Sequence, residues 1–484
     1  MNLRPDKASL DARPVPQWYQ NAKLGIFVHW GMYSIPAYAE RTGEDYTAFM
    51  RDLTAMKDVG STIPYAEWYL NSLRVPGSPT ARHHEATYGK DFAYADFREQ
   101  FDANAAKVDF DDWAGLFADA GAGYAVMVTR HLDGYPLWPT RVAHPRLPAG
   151  YHASRDLVGD LSEAVRARGL RMGLYYAGGV DWTFIDTPIR TMTDLMVHQS
   201  LGPDYSDYAA AHWRELIERY EPSILWNDMG WPPGTDPHEI FAHYYDMVSD
   251  GVVNDRWFQQ KLPRNRLGRA VYLRFMAMAL KAMTRGGREL PKRPPTVHFD
   301  VETHEYATPE SAMAAVWELT RGLGNSFGYS AQETAADMLS GTELIHLLAD
   351  VTSKGGNLLV NVGPDGTGQI PQMQRQPLQE LGAWLKVNGE AIYGTRSWTQ
   401  TATTTADGHP VRFSHKDDTV YAIVVSDRLD DRVVIRNLTP PAGSKLRHLG
   451  SGADLAWTQD GPDLDVRLPG PLSPEPAQVL AMTA

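Results

Sequence analysis

Ser223-Ile224-Leu225-Trp226-Asn227-Asp228-Met229-Gly230-Trp231-Pro232 carries an apolar, strand-like run into an aspartate and then breaks at Gly230 and Pro232. The break predicts the end of a buried strand, with Asp228 at its carboxyl end. Two tryptophans flank the carboxylate, and flat aromatic faces beside a carboxylate suit a sugar-binding cleft. A helix cap or an ion pair at a barrel rim would use the same residue type, so the rest of the chain has to decide.

Working outward, the same beat recurs. Lys23 to Gly31 is an apolar run that stops at His29 and Gly31; Tyr124 to Arg130 runs into His131-Leu132-Asp133; Leu170 to Tyr176 ends at Ala177-Gly178-Gly179. Helical spacing separates them: Trp113, Leu116 and Phe117 after Asp111, then Leu157, Leu161 and Val165 closed by Gly169, then Tyr208 to Tyr220. Beyond Asp228, strands are expected at 251–256, 301–306, 326–329 and 357–364, with helices near 312–320 and 344–353. Eight strands alternating with helices predict an α/β fold, a (β/α)8 TIM-like barrel. Right-handed crossovers make its strands parallel, so His29, His131, Tyr176, Asp228, Arg256 and Glu305 emerge on one face, the carboxyl-end face where such barrels hold their active sites.

The pattern changes after Gly394. Val420 to Val425, Arg432 to Ile435 and Leu464 to Leu468 alternate and are divided by Asp, Gly and Pro clusters, the signal of a small C-terminal antiparallel β-sandwich. The expected division is a catalytic barrel over 1–397 and a sandwich over 398–484. A basic segment at 257–293 interrupts the barrel; a binding arm, an oligomer contact, a lid or a solvated surface insertion would each account for it.

Composition bounds the function. The 484 residues are 43% hydrophobic and 22% charged, as in ordinary folded proteins. A net charge of -13 argues against nucleic-acid affinity, which needs a basic surface. With no cysteine, disulfides and thiolate chemistry are excluded. The amino terminus lacks a secretory apolar core, and no apolar run of about eighteen residues suggests a membrane span. The default expectation is a cytoplasmic protein, or a secreted one if a leader was removed before the numbering; homo-oligomerisation stays open.

Two carboxylates at a barrel mouth lined by aromatics and histidines offer a retaining glycosidase arrangement, with one acid as nucleophile and one as proton donor roughly 5 Å apart. Asp228 and Glu305 are the expected pair, although periodicity alone does not separate Glu305 from Glu302, Glu310 or Glu318. A rival of another class uses His29, His131, Asp133 and Asp228 as a metal site for a barrel hydrolase; no His-x-His or His-Glu-x-x-His spacing supports it. A third reading is a sugar-binding barrel without catalysis.

The chain resembles the α-L-fucosidases of glycoside hydrolase family twenty-nine, through 22–31, Glu67-Trp68-Tyr69, Gly173-Leu174-Tyr175-Tyr176, Leu225 to Asp228, Val253 to Trp257, Trp317-Glu318, Ser326 to Tyr329 and 354–364. The resemblance implies an exo-acting, retaining α-L-fucosidase that takes fucosylated oligosaccharides or glycosides and needs no cofactor. It puts the nucleophile on Asp228, the acid/base on Glu305, and sugar contacts on His29, Glu67, Trp68, His131, Tyr176, Trp226 and Arg256, with Phe27, Trp226 and Phe327 near the C6 methyl. One position departs: many relatives have a His-His pair where this chain has His131-Leu132. Losing an imidazole removes a hydroxyl contact of about 1 kcal/mol, which bears on sugar preference and makes an α-L-galactoside conceivable.

Overall fold

The computed structural model describes residues 3–41, 60–191, 194–195, 202–259, 263, 265, 267–268, 271–272, 274–275, 278, 296–440, 443–468, 470, 472 and 474–483. Eight parallel strands form the first sheet: β1 Leu24–Val28, β2 Tyr124–Arg130, β3 Arg171–Ala177, β4 Ile224–Asp228, β5 Val252–Val253, β6 Glu302–Glu305, β7 Trp317–Gly322 and β8 Asn357–Val362. Their order is β5-β4-β3-β2-β1-β8-β7-β6. A single parallel bridge between Asn254 and Val301 joins β5 to β6 and closes the barrel.

Strand parity builds two cores. Phe27, Val126, Val128, Tyr175, Ile224, Trp226 and Leu359 pack together in the lumen. Their alternates Ile26, Val28, Met127, Leu174, Tyr176, Leu225 and Val360 pack outward against the surrounding helices. Both faces of β1, β2, β3, β4 and β8 are almost wholly buried, so these strands read as nearly continuous apolar runs. Short polar side chains cap several of the helices: Asp156 accepts from the Gly159 N–H ahead of Leu157–Ala167, and Ser340 from the Glu343 N–H ahead of Gly341–Ser353.

The seventh strand departs from expectation. Residues 312–320 do not form a helix, and 326–329 is not a strand; β7 is Trp317–Gly322. Met313, Val316, Trp317 and Leu319 fit helical spacing on paper. In the barrel, Trp317 and Leu319 face the outer core while Glu318 and Thr320 alternate with them. Buried lumen carboxylates and hydroxyls disguise the period of two.

An eight-stranded antiparallel sheet starts at Arg396, ordered β12-β15-β14-β13-β16-β11-β10-β9, with β9 Arg396–Thr404, β10 Pro410–Lys416, β11 Thr419–Val424, β12 Arg432–Ile435, β13 Lys445–His448, β14 Asp454–Asp460, β15 Asp463–Arg467 and β16 Gln478–Thr483. Its inner residues, among them Phe413, Val424, Ile435, Val466 and Leu480, form a core of their own. The Arg412 guanidinium reaches Asp350 at 2.6 Å and the Trp384 indole N–H reaches the Ala477 carbonyl at 2.9 Å, fixing the sheet to the barrel's outer helices. Most of the basic segment at 257–293, including all of 281–293, lies outside the described residues.

Candidate active site

The carboxyl ends of the strands surround a cavity lined by Phe27, His29, Glu67, Trp68, His131, Tyr175, Trp226, Asp228, Arg256, Glu305 and Phe327, among others. Parity explains the selection. Trp226 and Asp228 are two apart on β4 and share its lumen face, as Phe27 and His29 do at the end of β1.

Arg256 holds the centre. Its Nη1 donates to Asp228 and its Nη2 to Glu305, each at 3.0 Å, and its guanidinium lies 4.8 Å from the Trp226 ring centroid. Burial works against this cation, but the charges of Asp228, Glu305 and Asp255 outweigh it and hold its pKa above the ordinary value. Arg256 Nε donates to Thr303 Oγ1 at 2.9 Å, and that hydroxyl donates onward to Asp255 at 2.6 Å. The fork is therefore braced from behind before it meets the carboxylates.

Asp228 also accepts from the Tyr175 hydroxyl at 3.0 Å. Burial and then the Asp228 charge push the Tyr175 phenol well above its ordinary pKa, so it keeps the proton it donates. Both carboxylates are followed by a non-glycine residue in the left-handed region, Met229 at φ 63° and Tyr306 at φ 57°, each costing on the order of 1–2 kcal/mol. At the first of these turns the chain passes so close to Gly179 that a Cβ there would lie 1.8 Å from the Met229 carbonyl oxygen.

The histidines are uncharged. Asn361 donates to the Phe327 carbonyl at 2.7 Å, so its own oxygen accepts from His29 Nδ1, 2.6 Å away. That leaves His29 Nε2 as an acceptor. Burial lowers the His29 pKa to about 4 against the opposing pull of Asn361 and Asp228, and burial followed by the nearby His29 and Arg130 holds His131 well below its ordinary value. His131 stacks on Tyr175 at 5.7 Å between centroids.

Glu67 sits in the short 3-10 turn Ala66–Trp68 and accepts from the Gly328 N–H at 2.7 Å. Burial raises its pKa to about 7, against the hydrogen bonds from Gly328 and Ser326 that lower it. Below the cavity, Glu318 accepts from the Trp226 indole at 3.0 Å and the Tyr19 hydroxyl at 2.7 Å; burial raises its pKa while these donors oppose. This carboxyl seats Trp226 from beneath.

Of the eleven site residues expected from sequence, ten line the cavity and Tyr176 does not. Tyr176 faces the outer core, where its hydroxyl meets His212 Nδ1 at 3.0 Å and its ring lies 4.3 Å from the Arg130 guanidinium. Its neighbour Tyr175 occupies the lumen because β3 pairs Tyr175 with Trp226 and Ala177 with Asp228. Trp231 also turns away, packing against Trp257 at 5.1 Å. Tyr175 was missed because a strand buried on both faces carries no visible parity. Asn361, which sets the His29 tautomer, was missed because it reads as one more residue of a strand. Of the other glutamates considered, Glu318 is sealed below Trp226, and neither Glu302 nor Glu310 lines the cavity.

The rival metal set is dispersed. Asp133 is buried away from the cavity, accepting from the Tyr94 hydroxyl at 2.8 Å. Among the described residues no three His, Asp or Glu side chains are grouped as a metal ion would need.

The family model described as Alpha-L-fucosidase matches residues 2–274 and 287–390. The tissue alpha-L-fucosidase of Rattus norvegicus is 29% identical over 473 residues, which cover 94% of this chain and 86% of that protein. The alpha-L-fucosidase of Dictyostelium discoideum is 30% identical over 404 residues, 80% of this chain and 74% of that protein. The crystal structure of Thermotoga maritima alpha-fucosidase in complex with a mechanism-based inhibitor is 37% identical, covers 100% of both chains and superposes with a TM-score of 0.83; the complex of that enzyme with fucose gives 0.82 over 99% of this chain and 100% of the other.

Proposed function

The chain belongs to the alpha-L-fucosidase family and is a glycoside hydrolase that releases α-L-fucosyl residues; on that premise we propose that Asp228 is its nucleophile and Glu305 its acid/base. The single observation that carries this reading is the shared fork, in which Arg256 donates to both carboxylates at 3.0 Å. Both carboxylates are thereby held within reach of one guanidinium, as suits a nucleophile and a proton donor that act on the same glycosidic bond.

Asp228, as carboxylate, attacks the anomeric carbon. The bond from that carbon to the leaving oxygen breaks as Glu305 passes its proton to the oxygen. A water then attacks the same carbon, Glu305 takes the water's proton, and the ester bond to Asp228 breaks to free the sugar. Of the two carboxyls that Arg256 joins, one carries the negative charge at each stage, Asp228 before attack and Glu305 while Asp228 is esterified. A fixed cation between the two sites needs no reorganisation as the charge moves.

Neutral His29 and His131, Glu67 and Trp68 are the proposed hydroxyl contacts, and Phe27, Trp226 and Phe327 the apolar surface for the C6 methyl. Leu132 lines the same cavity, and its aliphatic side chain favours the deoxy sugar over partners that need one more hydrogen bond there. Catalysis is assigned to residues 1–397, since every described residue lining the cavity precedes 328.

The test is aryl α-L-fucoside hydrolysis by the wild type, Asp228→Gly and Glu305→Ala, with and without azide. Asp228→Gly is expected to lose hydrolysis and to recover turnover with azide as the inverted fucosyl azide; full activity in Asp228→Gly without azide would sink the assignment. Loss of wild-type activity on adding a chelator would favour the metal-dependent reading instead.

A further inference from the structure

The cavity is chemically divided. Asp228, Arg256 and Glu305 gather at the strand ends with His29, while the loops above contribute a wall of aliphatic side chains, Ile63, Ile189, Leu195 and Met229, together with the polar Glu67 and Arg190. These aliphatic groups flank both carboxylates. Met229 directly follows Asp228; Ile63 clusters with Tyr65 and Phe327, against which Tyr306, the residue after Glu305, is packed.

The wall is held in place from behind. Asn71, fully buried, donates its side-chain N–H to the Ile189 carbonyl at 2.8 Å and accepts the Ile189 N–H at 2.7 Å, gripping that residue as a neighbouring strand would. The Gly60 N–H donates to the Arg190 carbonyl at 3.1 Å, and the Ser72 hydroxyl donates to the Gly60 carbonyl at 3.2 Å, tying the loop of Ile63 to the loop of Ile189. A Cβ on Gly60 would lie 2.2 Å from the Ile189 carbonyl oxygen, so the close approach of the two loops depends on a residue without one. Ile63 and Ile189 are thus preorganised apolar surface of the cavity lining, 5% and 3% exposed.

Resting on the assignment of Asp228 and Glu305, we propose that this wall is the leaving-group subsite and that it takes alkyl or aryl aglycones in preference to hydroxyl-rich ones. Hydroxyls placed against Ile63, Ile189, Leu195 and Met229 would be stripped of water without a partner, whereas each methylene laid there is removed from water at a gain.

The experiment compares kcat/KM for methyl and butyl α-L-fucoside, whose leaving alcohols have nearly equal acidity, in the wild type, Ile63→Asn, Ile189→Asn and the milder Ile189→Ala. α-L-Fucosyl fluoride, which carries no aglycone, is run beside them. The wild type should favour the butyl glycoside by roughly tenfold, as expected for three partly buried methylenes, and the asparagine variants should bring the ratio close to one. Both rates come from one preparation, so the ratio is insensitive to misfolded chain. A wild-type ratio near one, or a ratio unchanged in all three variants, overturns the subsite. A wild type that turns over none of the three substrates would instead bring down the catalytic assignment on which the subsite rests.

Discussion

Asp228 and Glu305 end two strands of different character. β4 is buried along Ile224 to Asn227 and pairs with β3 over five residues, so Asp228 is delivered by one of the best-anchored strands of the barrel. β6 is half-exposed throughout, pairs with β7 over four residues, and meets β5 through one bridge. The strand of Glu305, the proposed acid/base, therefore borders the weakest seam of the barrel, where the chain leaves at Trp257 on the basic segment and returns ahead of Val301. What the difference teaches is the role of Arg256. It reaches across that seam, braced by Thr303 on β6, and adds side-chain hydrogen bonds to the short backbone pairing there, in which the Asp300 and Val301 N–H groups donate to the Val253 carbonyl. A nucleophile needs a fixed line of attack, and a deep strand provides it. An acid/base that must serve first the leaving oxygen and then a water is set on a strand with fewer backbone constraints.

The largest test of this contrast is Arg256→Met. Removing two charge-assisted hydrogen bonds of about 2 kcal/mol each predicts a fall of about 10³-fold in kcat/KM for an aryl fucoside, measured by steady-state kinetics at saturating folded enzyme. A loss smaller than about tenfold would mean that the two carboxylates keep their places without the fork, and the seam argument would go with it.

Next in size is a pH effect confined to one side of the pair. The Asp228 side is flanked by the neutral His29, whereas Glu67 lies against the Phe327 and Tyr306 wall on the Glu305 side. Burial raises the Glu67 pKa from 4.5 to about 7. The folded chain then binds this proton more tightly than the unfolded chain. Its contribution to stability is fully present below about pH 4.5 and is lost as the pH rises through about 7. Glu67→Gln removes that term, so its stability relative to wild type should improve between pH 4.5 and 7.5 by roughly 3 kcal/mol at most. Urea unfolding midpoints of both proteins across that window measure it; a constant difference between them would show that Glu67 does not titrate there.

Tyr175→Phe touches the Asp228 side alone. One hydrogen bond to a charged acceptor is lost, worth about 1.5–3 kcal/mol, which predicts a drop of roughly 10- to 100-fold in kcat/KM. The drop should be similar for substrates with good and poor leaving groups, since the hydrogen bond supports the nucleophile and not the proton donor. A penalty that grew with leaving-group basicity would place Tyr175 in the service of Glu305 and blur the contrast.

The same contrast decides what could be read from sequence. β2 and β4 stood out because both faces are buried and the apolar runs are unbroken, and each ends in a polar residue followed by a chain break. β7 was hidden because its lumen face carries Glu318 and Thr320, which made the remaining apolar spacing look helical. Glu67 lies in a loop turn that no periodicity links to the barrel, so only the family resemblance brought it to the site. Ile63, Ile189 and Asn71 gave no signal, because loops that meet across more than a hundred residues announce themselves only in three dimensions.

The smallest expected effect is the one that checks strand parity. Tyr176 is adjacent to Tyr175, yet its hydroxyl meets buried His212 in the outer core. Tyr176→Phe keeps the ring beside Arg130 and removes only that hydroxyl, leaving His212 Nδ1 without that partner. The expected cost is about 1 kcal/mol of stability, read as a lowered urea midpoint, with kcat/KM of the remaining folded enzyme within about twofold of wild type. The paired result separates two causes that a single activity value would confuse: a residue on the outer face of β3 acts through the packing of the barrel, whereas one on its inner face acts on Asp228. A tenfold loss of kcat/KM in Tyr176→Phe without loss of stability would put its side chain at the substrate and reverse the assignment of faces on β3.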